Sequence, residues 1–137
     1  MNEGTHKNNI TKTASAAMPR GAFVKLAAAD AGKVEACSAT DTDALGVLLD
    51  SVKAGDNVAV ELLGVSNRTF VALADGEISA GGKVCLSANG AVKAIPAKGA
   101  SAQTVQVVGL ALGNSVGKGD LVEIVAHRCE QLTIAAQ

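Results

Sequence analysis

A six-residue pattern occurs four times along this chain and limits its possible folds more than any other feature. Gly21-Ala22-Phe23-Val24-Lys25-Leu26, Gly55-Asp56-Asn57-Val58-Ala59-Val60, Gly81-Gly82-Lys83-Val84-Cys85-Leu86 and Gly119-Asp120-Leu121-Val122-Glu123-Ile124 align without gaps. Each is a glycine, two further positions, then apolar residues at alternating places. That alternation belongs to a strand with one face buried, because side chains two apart leave the same face. The register puts Val24, Val58, Val84 and Val122 in one inward column and Leu26, Val60, Leu86 and Ile124 in the next, and these residues are the predicted core. Lys25, Ala59, Cys85 and Glu123 fall between the columns, on the face predicted to meet water. The leading glycine supplies the backbone freedom of a tight turn, so each copy reads as a chain reversal followed by a strand.

Other segments fit the same scheme. Residues 68–73 are rich in strand formers and run into Asp75-Gly76, and Asn89-Gly90 separates the Val84–Leu86 segment from residues 91–95. Both dipeptides signal hairpins, since the turns that match strand twist require positive φ. Residues 44–49 and 104–112 are more continuously apolar and are expected as central strands buried on both faces. A helix over residues 24–31 is disfavoured by its β-branched start and by Gly32. Residues 95–101 read as a surface loop. The expected fold is therefore all-β, a small β-barrel or β-sandwich of about eight to ten short strands. Residues 20–137 are expected to form a single β domain. Residues 1–19 hold no sustained period and end at Pro19, so they are expected as a flexible, extended N-terminal arm.

Composition removes several function classes. The chain has 137 residues, enough for one core, and its 12 Lys and Arg against 13 Asp and Glu give a net charge of -1. Such a balance offers no footprint for a phosphate backbone or an anionic membrane, so nucleic acid and membrane are not expected partners. Phe23 and Phe70 are the only aromatics, which argues against base stacking and against a sugar platform. Cys37, Cys85 and Cys129 are odd in number and widely spaced, suiting neither a disulfide framework nor a zinc site, and free thiols are expected. Met1–Lys12 is polar, lacks the apolar centre of a secretion signal, and no apolar run reaches the roughly 18 residues of a membrane span, so synthesis in the cytoplasm as a soluble protein is expected.

Sites for chemistry are scarce. Gly113-Asn114-Ser115-Val116-Gly117-Lys118-Gly119 superficially looks like a phosphate-binding loop, but it is one residue short, has Gly where Ser or Thr would hold magnesium, and leads into an alternating strand. It is read as a turn. His6 and His127 are the only histidines, and no nucleophile elbow accompanies them. Asp41, Asp43, Asp50 and Asp56 lack the calcium-loop spacing and are read as turn formers. No catalytic residue, cofactor or metal site is expected, and binding to other protein surfaces is the expected activity; a small enzyme is the weaker alternative.

Ala44-Leu45-Gly46-Val47-Leu48, Ala54-Gly55-Asp56-Asn57-Val58-Ala59-Val60, Ile78-Ser79-Ala80-Gly81-Gly82-Lys83-Val84, Val108-Gly109-Leu110-Ala111-Leu112 and Gly119-Asp120-Leu121-Val122-Glu123-Ile124 form an ordered series over roughly residues 18–126. The series resembles the capsid cement, or head decoration, proteins of tailed bacteriophages. That resemblance implies a small β-barrel-like domain, without a catalytic site, that attaches to the outside of the phage head and stabilises the shell. It implies the major capsid protein and further copies of the chain, commonly as a homotrimer, as partners, and the virion surface as location. The arm would then act as a strap at a capsid or subunit interface, through Lys7, Asn8, Asn9, Ile10, Thr11 and Lys12. A tail or baseplate β-domain of a phage is the alternative with the same fold.

Overall fold

A computed structural model describes residues 9–65 and 68–137. Ten strands run in order: β1 (Asn9–Ala14), β2 (Phe23–Ala27), β3 (Asp30–Ala36), β4 (Gly46–Leu48), β5 (Asn57–Leu62), β6 (Phe70–Leu73), β7 (Lys83–Leu86), β8 (Val92–Ala94), β9 (Gln103–Ala111) and β10 (Leu121–Ile134). The first five close into a barrel in the order β1-β3-β2-β4-β5, and the last five form a sheet in the order β6-β10-β9-β7-β8. The all-β expectation is met, and the described residues contain no α-helix; residues 24–31 form most of the β2–β3 hairpin instead.

The four copies of the repeated unit are four identical turns. Pro19–Ala22, Lys53–Asp56, Ser79–Gly82 and Gly117–Asp120 each close with the last N–H donating to the first carbonyl, at 3.2, 3.1, 3.1 and 3.3 Å. The third residue of each is the repeat glycine, with φ of 88, 87, 87 and 94°. Positive φ there and not at the residue before it is the signature of a type II turn. Just ahead of the turns, Met18 pairs with Val52 and Ile78 with Ser115. The turn glycines also share their partners: Gly21 and Gly81 donate to Leu48 and Ala111, and Gly55 and Gly119 to Ala14 and Ala74.

These matches resolve the repeat into two halves of one design. β1 to β5 correspond in order to β6 to β10, and every antiparallel pairing of the first half recurs in the second: β1–β5 as β6–β10, β2–β3 as β7–β8, β2–β4 as β7–β9, β4–β5 as β9–β10. The parallel β1–β3 contact that closes the barrel at Ala14–Val34 recurs as a bridge between Ala74 and Val92. Gly46 and Gly109 hold the same place in the halves, and each lies so close beneath a neighbouring strand that a Cβ would run into a carbonyl, that of Glu61 or that of Val125.

Corresponding residues also fill the interiors. Ala14, Met18, Val24, Val34, Leu48, Val58 and Val60 pack inside the barrel, and Ala74, Ile78, Val84, Val92, Ala111, Val122 and Ile124 pack in the second half. The second cluster is not closed on itself. Phe23, Cys37, Val47 and Leu63 enter it from the outside of the first barrel, so the larger core lies between the halves. Two backbone bonds cross the same junction, Leu73 N–H to Gly21 O at 3.1 Å and Gly90 N–H to Cys37 O at 2.8 Å.

Several sequence expectations need correction. Seven of the eight predicted core residues are buried, but Leu26 is 41% exposed. Its strand ends in a register shift at Leu26–Ala27, and the tip that follows stands free, whereas the tip after its counterpart Leu86 is tucked under the first half by the Gly90–Cys37 bond. Cys85, expected to face water, is buried with Val105 and Val107 and packed by Ile95, Leu132 and Ile134. The cause is the length of β10: past a bulge between Ala126 and Glu130 it continues alongside β9 as a ribbon with no counterpart in the first half. Residues 9–14 are not an arm but the first strand of the barrel, paired with β5 from Asn9–Glu61 to Thr13–Asn57. Ile10 packs against the barrel interior while Asn9 and Thr11 face out, an alternation too polar to stand out in the sequence. Asn89-Gly90 turns a hairpin as expected, with φ of 57 and 78°, but Asp75-Gly76 does not, because β6 pairs with β10 rather than with β7.

Candidate interaction surface

His6 lies outside the described residues, and most of the other features that could have carried chemistry serve the structure. In the loop that looks like a phosphate cradle, the Asp120 carboxylate accepts the N–H groups of Val116 at 3.0 Å and Gly117 at 3.2 Å, and the Ser115 hydroxyl donates to Gly76 O at 2.9 Å. Amides directed at an internal carboxylate are not free to hold an anion. Asp56 likewise accepts from Lys53 N–H at 2.9 Å and Asp41 from Ser38 N–H at 2.7 Å, so these acids are turn formers, as their spacing suggested. His127 Nδ1 lies 2.7 Å from the carbonyl of Arg128, and no group of three or more His, Cys, Asp or Glu side chains able to hold a metal occurs among the described residues.

The three cysteines are free thiols. Burial pushes Cys37 up to about 12, and burial also raises Cys85 and Cys129, which leaves little thiolate near neutral pH. Lys25 and Asp41 pair at 2.9 Å, with Glu35 3.6 Å from the same ammonium. The hydrogen bond to Asp41 holds Lys25 above its ordinary value; burial opposes ionisation of Asp41, but the Ser38 N–H and Lys25 outweigh it and hold the carboxyl low. This pair ties β2 to the loop before β4.

A groove of about 490 Å³ opens where the halves meet, with Leu26, Leu45, Leu62 and Leu63 on its walls and Asp43 and Arg128 among its polar groups. Cys129 also lines it, its thiol pushed up by burial, which leaves little thiolate near neutral pH. The Glu61–Arg68 pair, at 2.9 Å, spans the same junction.

The surface that stands out lies on the outside of β9 and β10. Leu110 and Val125 face each other across the two strands and are 39% and 47% exposed, with Leu112 exposed just past the end of β9 and Leu121 exposed further along β10, beyond Glu123. Residues 104–112 were expected to be buried on both faces, and Val105–Gly109 are, but Leu110 and Leu112 are not. Their apolar character at outward positions was the available signal. Of the residues expected at a capsid or subunit interface, Asn9, Ile10, Thr11 and Lys12 lie in β1 within this chain's own barrel, and Lys12 Nζ donates to Ala31 O at 2.9 Å. Lys7 and Asn8 lie outside the described residues.

The fold has a solved counterpart. The chain is similar to the N base of the head fiber gp8.5 of bacteriophage phi29, with a TM-score of 0.66 over 89% of this chain and 95% of that one, at 16% sequence identity. At that identity the likeness is one of fold. No family model matches the chain, and no curated protein matches it in sequence.

Proposed function

We propose that this chain is a structural protein of a tailed-phage head, a decoration or cement protein that binds the outer surface of the capsid and stabilises the shell by bridging capsid subunits. The observation that carries this reading is the fold shared along nearly the whole chain with the base of a phage head fiber. Fold alone does not fix function. The reading also draws on what the chain presents: a surface of exposed Leu and Val suited to protein partners and a net charge of -1. Its partners are the major capsid protein and further copies of itself, as a homotrimer, and its place is the virion surface. It acts by binding and not by catalysis. Many equivalent attachment points would turn a modest single contact into firm retention through avidity.

Co-sedimentation with undecorated, expanded heads of the phage that encodes the chain tests this directly. Saturable binding at micromolar concentration, together with greater resistance of the heads to heat or to chelation, is the expected result. Heads that pellet without the protein, while isolated tails or baseplates of the same phage retain it, would overturn it in favour of a tail or baseplate component.

A further inference from the structure

The duplication makes the two halves comparable surface by surface, and one comparison is lopsided. On the outside of the first barrel Phe23, Val47 and Glu61 form a row across β2, β4 and β5, each beside the next. All three are buried, at 0, 1 and 2% exposure, because the second half lies over them. The corresponding row on β7, β9 and β10 is Lys83, Leu110 and Val125, paired in the same way. Among the described residues nothing covers it, yet it holds Leu and Val, with Leu112 just past the end of β9 and Leu121 further along β10 past Glu123. Clustered exposed apolar side chains of this kind mark a contact site, whereas scattered ones do not.

The chain also shows what fits such a row. The first row is covered by β6, through Leu73 N–H to Gly21 O, and by the β7–β8 tip, through Gly90 N–H to Cys37 O. The first-half counterparts of these covering elements are β1 and the β2–β3 tip, and both have open outer sides: Thr11 on β1, and Leu26, Ala28 and Ala29 at the tip are exposed. One half thus carries an uncovered row and the other carries the uncovered elements that match it. Gly90 sits against Phe23, so the counterpart tip would reach Lys83; the tip carries the exposed Asp30 to meet that ammonium, with Lys12 Nζ held on Ala31 O beside it.

We propose that a second copy of this chain docks β1 and its β2–β3 tip onto the Lys83–Leu110–Val125 row, so that the contact between halves is repeated between chains. The contact is head-to-tail, and such contacts close into a ring or run on open-ended. It rests on the self-association included in the proposed function and gives it a surface; three copies joined this way would form the homotrimer.

Sedimentation velocity on the full chain tests it with two blocked variants. Val125→Asp spoils the row and Ala28→Arg spoils the tip by bulk and by repulsion from Lys83, both at exposed positions whose melting curves are expected to stay at wild type. Each variant alone is expected to sediment as a 13.6 kDa monomer, and the two mixed are expected to form a dimer through their one intact pair of surfaces. Val116→Asp, at an 87% exposed site off the row, is expected to leave wild-type association unchanged. Association that survives Val125→Asp, or that the mixture fails to restore, would overturn the head-to-tail contact. A wild-type chain that binds heads but stays monomeric in solution and on the head would overturn it while leaving the capsid reading intact; self-association without head binding would do the reverse.

Discussion

Gly46 and Gly109 stand at the same point of the two halves, each beneath the carbonyl of a residue in the adjoining strand, Glu61 or Val125. Neither has an unusual φ, so what both positions require is the missing side chain. The close approach lets β4 lie against β5 and β9 against β10 at the centre of each sheet.

Gly46→Ala and Gly109→Ala are therefore each expected to destabilise the protein by about 2 to 4 kcal/mol, since a methyl driven into backbone can be relieved only by moving a strand. Gly113→Ala is the matched control, because nothing lies within 4 Å of a Cβ there, and its effect should stay within about 0.5 kcal/mol. Urea denaturation of the three variants gives the comparison. Equal stability of Gly109→Ala and Gly113→Ala would contradict the packing described.

Much of the fold was legible because the repeat combined two independent signals, a glycine where positive φ is needed and a period of two after it. The same four glycines and seven of the eight core positions follow from that combination. Residues 9–14 were misread because β1 offers only Ile10 and Ala14 to the interior and has no glycine two residues ahead of it, where the repeat places one. Leu26 and Cys85 were misread for a different reason: their burial is decided by distant chain, the other half in one case and the β9–β10 ribbon in the other. At Leu110 and Val125 the sequence shows the apolar side chains but not that they are uncovered, since exposure of a strand residue depends on what lies across it.

Deleting residues 1–14 is expected to abolish cooperative folding of the first half. It removes the strand that closes the barrel between β3 and β5 and leaves Val58 and Val60 facing a gap. Losing those contacts consumes much of the roughly 5 to 15 kcal/mol that holds a domain together. A truncated protein with a wild-type melting temperature by circular dichroism would show that β1 is dispensable.

The Lys25–Asp41 pair gives a pH signature. Asp41 has its folded value held below the ordinary 3.8, so its contribution is present above that pH and disappears as pH falls through the lower folded value. Lys25 is raised above 10.5, so its contribution is full below that pH and disappears as pH climbs through the higher folded value. The difference in melting temperature between wild type and Asp41→Asn should accordingly be flat from about pH 5 to 9 and shrink on acidification below about 4. A difference that grows in acid would reverse the sign argued here.

Thiol reactivity reports the burial of the cysteines. With Cys37 pushed up to about 12 and Cys85 buried under the ribbon, neither should react with a disulfide reagent in the folded protein at pH 8, while the half-buried Cys129 should react first and slowly. All three should react at once in denaturant. Rapid labelling of Cys85 in the native state would mean that the β9–β10 ribbon does not cover it.

Leu26 and Leu86 hold the same position in the repeat, so equal sequence and unequal surroundings can be set against each other. Leu86 is buried in the core between the halves, and Leu26 stands 41% exposed at the free tip of the barrel. Leu86→Asp places a charge without a partner in that core and is expected to cost several kcal/mol, enough to unfold the chain, as Val58→Asp and Val122→Asp should at the interiors of the two halves. Leu26→Asp keeps its carboxylate near water and should cost about 1 kcal/mol or less. Soluble expression and cooperative urea unfolding separate the two outcomes. If Leu26→Asp also failed to fold, the β2–β3 tip would be covered in the isolated chain, and the asymmetry between the halves on which the docking surface rests would be lost.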